Sequence, residues 1–205
     1  MKTPAMQVFF EQGGKKMKKI ILASASPRRK EILEQIGMQF EILVSDKEEI
    51  YESSAPEEIV KELSLLKANH VSEMVGKNDI IIIGADTIVS HEGKVLGKPK
   101  SRAEAFQMIQ GIQGKVHKVY TGIAILCYDE SGEKKMINDA VETKVFVYPM
   151  SEKEINNYLD TGEYMDKAGA YAIQGLFAPF IEKIEGDYYN VVGLPVSRIY
   201  QAIKS

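Results

Sequence analysis

Three consecutive cations, Arg28-Arg29-Lys30, follow the small, hydroxylated stretch Ala23-Ser24-Ala25-Ser26-Pro27. Serine hydroxyls, guanidinium forks and the free N–H groups of a helix start are the groups that hold an anion, and a phosphate suits all three. The placement is unfavourable without one. The N-terminal end of a helix is already positive, so each cation there is disfavoured by roughly 0.3–1 kcal/mol. Taken alone, the pattern is equally that of a basic, solvated helix start. The glycines of a P-loop are missing.

Further polar residues stand at the ends of apolar runs. Lys67 lies four residues beyond Leu63, on the apolar side of a helix, as a phosphate ligand or as a lysine whose stem packs on the core. Asp86 and Thr87 follow the run Ile80-Ile-Ile-Ile83 through Gly84 and Ala85. In open α/β sheets ligands sit beyond the carboxyl ends of such strands, although an aspartate there also caps turns. Lys98 projects from the stiff Gly97-Lys98-Pro99, and Glu48 from a carboxylate-rich loop. Lys167 and Gln174 lie in the small-residue segment 166–175, where the glycines allow close ligand approach or serve only turns. Several cations with two carboxylates suit a polyphosphate with Mg²⁺ or Mn²⁺, which prefer carboxylate, water and phosphate oxygens. The three histidines show no zinc spacing, and no Gly-x-Ser-x-Gly elbow or paired Cys/His signature occurs.

The elements that must position these groups alternate. Ile20 to Leu22 reads as a buried strand, and Ser26 and Pro27 open a helix with Ile32, Leu33 and Ile36 inward and Gly37 as its stop. Phe40 to Val44 reads as a second strand. Ser54-x-x-Glu57, Ser101-x-x-Glu104 and Ser151-x-x-Glu154 have the form of capping boxes for three helices. Four β-branched residues at 80–83 suit a strand covered on both faces. Ile88 to Leu96 reads as a hairpin about Glu92-Gly93, and Val119 to Tyr128 and Ala140 to Tyr148 as an antiparallel pair. Strand Pro179 to Ile184, a turn over 186–190 and a helix opened by Pro195 close the chain.

With 205 residues, 44% of them hydrophobic and 27% charged, the chain has the composition of an ordinary globular protein with a sizeable core. A net charge of −3 argues against general nucleic-acid binding. One cysteine, Cys127, excludes a disulfide framework, and no apolar run reaches the 18 or more residues of a membrane span. Residues 1–16 lack the apolar core of a signal peptide. They are expected to be a disordered extension or an upstream-start artefact, with Met17 opening a single cytoplasmic domain over 17–205.

LASASPRRKEIL, LSLLKA, IIIGADTIV, VLGKP, DKAGAYAIQG and VVGLP, in this order from about Met17 to the C-terminus, closely resemble the Maf family of nucleoside triphosphate pyrophosphatases. The resemblance implies an α/β fold with a mixed, elongated, twisted sheet and two lobes about a deep cleft, similar to inosine-triphosphate pyrophosphatases. It implies cleavage of a nucleoside triphosphate between the α and β phosphates, with a divalent metal, in a protein whose relatives are commonly dimers. By motif, Asp86 takes the place of the general base, Glu48 supports metal and water, and Asp86 with Glu48 would ligate the metal. Arg29, Lys67 and Lys98 contact phosphate beside Ser24 and Ser26, and Lys98 joins the catalytic set. Arg28, Thr87 and Gln174 match the specificity positions of the branch acting on dTTP and UTP. Ala172 stands where members often carry glycine. The family's septum-inhibition label leaves a second expectation, a nucleotide-binding regulator of cell division without catalysis.

Overall fold

A computed structural model describes residues 18–204, and the extension expected over 1–16 lies outside them. Seven strands form one mixed sheet: β1 (Lys19–Ala23), β2 (Glu41–Ile42), β3 (Ile80–His91), β4 (Lys94–Leu96), β5 (Val116–Tyr128), β6 (Lys134–Val147) and β7 (Ile181–Glu185). Their order is β2-β1-β3-β5-β6-β7, with β4 also paired to β3. β1 runs parallel to β2 and β3, and the remaining pairs are antiparallel. The helices are α1 (Pro27–Gln35), α2 (Pro56–Met74), α3 (Arg102–Ile112), α4 (Glu152–Asp160), α5 (Tyr188–Val192) and α6 (Val196–Lys204).

β3 organises the packing because its side chains alternate between faces. Ile80 and Ile82 pack with Ala68 and Val71 of α2, and Ile88 with Ile59, Val60 and Leu63 of the same helix. On the opposite face Ile81, Ile83 and Ala85 meet Ile32 and Leu33 of α1 and Ile199 of α6. Val89, further along that face, joins a different cluster with Ile109 of α3 and Ile155 of α4. One strand therefore enters the cores of both ends of the molecule. These are the two lobes, and Asp86 and Thr87 lie where one gives way to the other.

Several local expectations need correction. β3 does not end at Ile83 but runs through Asp86 to His91, because β5 pairs with it continuously from Ile80↔Tyr128 to Ser90↔Lys118. The strand expected over 40–44 shortens to Glu41–Ile42, an edge element with a strand partner on one side only. Ser54 caps nothing: α2 starts at Pro56 after Ala55, and Glu57 pairs with Lys61. The Ser101 hydroxyl caps α3, but Glu104 returns to the N–H of Lys100 and not to the cap residue. Ser151 and Glu154 form the complete reciprocal box. The last strand begins at Ile181 after a 3-10 turn, and the turn expected over 186–190 contains α5, capped by Asp187.

Two glycines set how closely α2 lies on the sheet. A Cβ on Gly84 would stand 2.2 Å from the Ser64 carbonyl oxygen, and one on Gly122 2.1 Å from that of Val60. Gly122 is the cross-strand partner of Asp86. Gly122→Ala must push α2 off the sheet, so a loss of about 1–3 kcal/mol is expected, read as a lower urea midpoint at unchanged slope.

Candidate active site

On the edge of β3 opposite β5, pairing with β1 ends at Ala23↔Gly84 and pairing with β4 begins at Val89↔Leu96. Among the described residues no strand covers positions 85–88 on that edge, and a cleft of about 630 Å³ opens there. Asp86 reaches it from the α2 face and Thr87 from the α1 face. Beyond the carboxyl end of β1, the loop 24–26 and the first turn of α1 form another wall. The strand-end rule thus holds for β1, whereas Asp86 enters from the middle of a strand.

Arg29 is the most constrained cation. Its side chain is buried with the residue only 8% exposed. Nε donates to the Gly193 carbonyl at 2.8 Å, one terminal nitrogen to Ser24 Oγ at 2.9 Å and the other to Thr87 Oγ1 at 3.0 Å. Three of five N–H groups are thereby satisfied, leaving two for a ligand. Burial lowers the guanidinium pKa and Asp86 counters it, without approaching neutrality for an arginine. Ser24 Oγ also accepts from the Ser26 backbone N–H at 3.2 Å. With both lone pairs engaged, it offers the cleft its proton. Ser26 stands at the N-cap of α1 without making a side-chain cap and lines the cleft.

Facing Arg29, α2 delivers Lys67. Its ammonium donates to Asp86 Oδ1 at 2.5 Å and contacts Glu49 Oε1 at 2.8 Å. Glu49, not Glu48, is therefore the acidic partner of Asp86; Glu48 is exposed and does not line the cleft. The Glu48 carbonyl accepts from Ile50 N–H at 3.0 Å, a tight three-residue bend. Lys98 lines the cleft from the loop after β4, where the Gly97 carbonyl accepts from Gly169 N–H at 3.1 Å. Two carboxylate oxygens converging on one ammonium are also a donor pair for a hard divalent cation. Among the described residues no group of three or more His, Cys, Asp or Glu completes such a site, and no helix is long and apolar enough to cross a membrane.

At the outer end Asp166 contacts Arg28 at 3.2 Å and also pairs with Lys167. Gln174 is exposed at the same rim. Across the cleft five cations (Arg28, Arg29, Lys67, Lys98, Lys167) face three carboxylates (Glu49, Asp86, Asp166). The surplus of positive charge suits a multiply charged anion.

A family model described as Maf-like protein matches residues 19–205. The chain belongs to the Maf family. A protein of Thermoanaerobacter sp. (strain X514) named dTTP/UTP pyrophosphatase is 52% identical over 186 residues, covering 91% of this chain and 95% of its own. A Bacillus cereus (strain ATCC 10987 / NRS 248) protein of the same name is 49% identical over 192 residues, 93% and 91% of the two chains. Among solved structures, a Mycobacterium abscessus nucleoside-triphosphatase / dITP/XTP pyrophosphatase aligns over 91% of this chain and 93% of its own at 12% identity and a TM-score of 0.43.

In this Maf chain the structure brings Ser24, Ser26, Arg28, Arg29, Lys67, Asp86, Thr87, Lys98 and Gln174 to one cleft, and leaves Glu48 outside it. Sequence reasoning missed Glu49, Asp166 and the Gly193 carbonyl. No periodicity separates two adjacent glutamates in a loop. Asp166 had a usable signal, a carboxylate beside Lys167 among small residues.

Burial pushes the Glu49 carboxyl up, but the Lys67 hydrogen bond and charge, then Lys98 and Arg29, outweigh it and hold the group below its ordinary 4.5. A lowered folded-state value means stability that is fully present above the unfolded value and lost as pH falls through the folded one. In a carboxyl-carbon NMR titration Glu49 should titrate below 4.5. Lys67→Met removes the largest of these lowering influences, so the midpoint should rise; an unmoved midpoint would show that Lys67 does not set it.

Proposed function

We propose that this chain hydrolyses dTTP and UTP to the nucleoside monophosphate and pyrophosphate. The observation carrying this reading is the cleft itself, whose five cations and three carboxylates belong to a chain about half identical to relatives named dTTP/UTP pyrophosphatase. The triphosphate lies among Ser24, Arg29, Lys67 and Lys98. Arg29 meets it with its two remaining N–H groups and Ser24 with its proton. Lys67 moves from Asp86 toward phosphate, which frees Asp86 Oδ1. Water then attacks the α-phosphorus opposite the bridging oxygen to the β-phosphorus. The new P–O bond forms as the bridging bond breaks, the water proton passes to Asp86, and pyrophosphate leaves with the bond's electron pair. Its developing charge is met by the cations of the cleft, with Arg29 held in place beforehand, which is where most of the rate is gained.

Glu49 and Asp86 fit Mg²⁺ or Mn²⁺ as two carboxylate ligands, with phosphate and water completing the shell. Bound there, the ion would offset phosphate charge and acidify its water. Arg28 and Gln174 meet the base at the rim. Arg28 can only donate, so it favours the carbonyl at position 4 of uracil and thymine over the amino group of cytosine. The Gln174 amide donates to that carbonyl and accepts from the adjacent ring N–H.

With Mg²⁺ and a panel of triphosphates, dTTP and UTP should be turned over fastest, to monophosphate and pyrophosphate. Diphosphate and orthophosphate as products would sink the reading, and binding without turnover would favour a nucleotide-binding regulator. Asp86→Asn should lower kcat by about 10²–10⁴-fold, with the melting temperature as control. Near-normal turnover would remove Asp86 from the proton transfer.

A further inference from the structure

Behind the cleft wall lies a hydroxyl that no ligand can touch. Thr121 is fully buried on β5, directly opposite Thr87 in the β3–β5 pairing. Its Oγ1 is 2.9 Å from Thr87 Oγ1 and donates to the Asn190 backbone carbonyl at 2.8 Å. A hydroxyl has one proton and two lone pairs, which fixes the direction of the chain. Thr121 uses its proton on Asn190, so toward Thr87 it can only accept. Thr87 must then donate inward. Its other acceptor, the Gly193 carbonyl, keeps a lone pair beside the bond from Arg29 Nε but lies 3.5 Å away, so the 2.9 Å contact with Thr121 is the stronger claim on the proton. With its proton committed, Thr87 turns lone pairs outward, and one of these accepts from Arg29 at 3.0 Å.

We propose that Thr121 is a positioning residue of this cleft: it fixes the hydroxyl polarity of Thr87 and thereby holds the Arg29 guanidinium for phosphate. Were the Thr87 hydroxyl reversed, its proton would point at a guanidinium N–H and one of the three tethers of Arg29 would be lost. The role of Arg29 toward phosphate rests on the function proposed above, whereas the relay rests on hydrogen-bond geometry alone. Asn190 is a sound terminus, being fully buried, with its side-chain amide donating to the Val119 carbonyl at 3.1 Å and to Thr143 Oγ1 at 2.8 Å. The same Asn190 carbonyl also accepts from Gly193 N–H at 3.1 Å, so losing the Thr121 hydroxyl does not orphan it.

The test is calorimetric binding of pyrophosphate to the full chain, with kcat and KM for dTTP alongside. Thr121→Val keeps the shape and removes the hydroxyl; Thr121→Ala removes it without the branched side chain; Thr121→Ser retains it. Both hydroxyl-free variants should weaken pyrophosphate binding about tenfold, with a matching rise in KM and kcat little changed. Thr121→Ser should stay within about twofold of wild type. Because the effect passes through Thr87, adding Thr121→Val to Thr87→Val should cause no further loss. Wild-type affinity in both hydroxyl-free variants, equal loss in Thr121→Ser, multiplying losses in the double variant, or no pyrophosphate binding by wild type would each overturn the proposal that Thr121 holds Arg29 for phosphate. Absence of dTTP turnover with the pyrophosphate series intact would instead remove the proposed activity and leave the relay standing.

Discussion

The uncovered edge of β3 between Gly84 and Val89 is the constraint on which the site depends. A fully paired strand would present Asp86 and Thr87 to opposite faces of a closed sheet, in two separate environments. Because β1 stops pairing at Gly84 and β4 starts only at Val89, both residues open onto one cleft. The glycines at 84 and 122 then let α2 approach until its backbone carbonyls touch the sheet, which brings Lys67 within reach of Asp86. Side chains at these two positions would move the helix and the ammonium together.

A second consequence is electrostatic. A buried cation is costly unless it is paired and hydrogen-bonded. Arg29 has neutral oxygens on three sides and is only under the field of Asp86, not in contact with it. Lys67, by contrast, bridges two carboxylates. Of the five cations, Arg29 thus has its geometry fixed by neutral acceptors, whereas Lys67 is held by charged ones. That division suits the proposed reaction, in which Arg29 holds the anion and Lys67 releases Asp86.

Much of this was legible in the sequence, for identifiable reasons. The basic turn after β1 stood out because three cations at a helix start conflict with the helix dipole, and local conflicts concentrate at functional sites. The apolar run 80–83 located β3, and the Ser151 box located α4, since both signals are local. The length of β3 was not readable: Gly84 and Ala85 resemble a strand end, and only pairing with β5 carries the strand on. Glu48 and Glu49 are adjacent carboxylates in one loop, and only Glu49 meets Lys67. Ser54 matched a capping pattern that Pro56 supersedes by starting α2 one residue later than the box requires. The length of β3 is thus a tertiary effect, whereas the other two misses turn on local backbone geometry.

The least legible part is the polar network behind Arg29, and its physics explains why. Thr121 lies inside the strand expected from Val119 to Tyr128 and Asn190 at the end of the turn expected over 186–190, so neither stands out in sequence as part of a site. Their importance comes from long-range pairing: Thr121 meets Thr87 across 34 residues and Asn190 across 69. Buried hydroxyl chains have a direction that no local pattern encodes, because each proton's placement depends on where the next acceptor lies. Here the chain ends on a backbone carbonyl, which can only accept, and that terminus orders every link back to the guanidinium. The polarity of the cleft wall is therefore set from the interior outward, by a residue that the ligand never reaches.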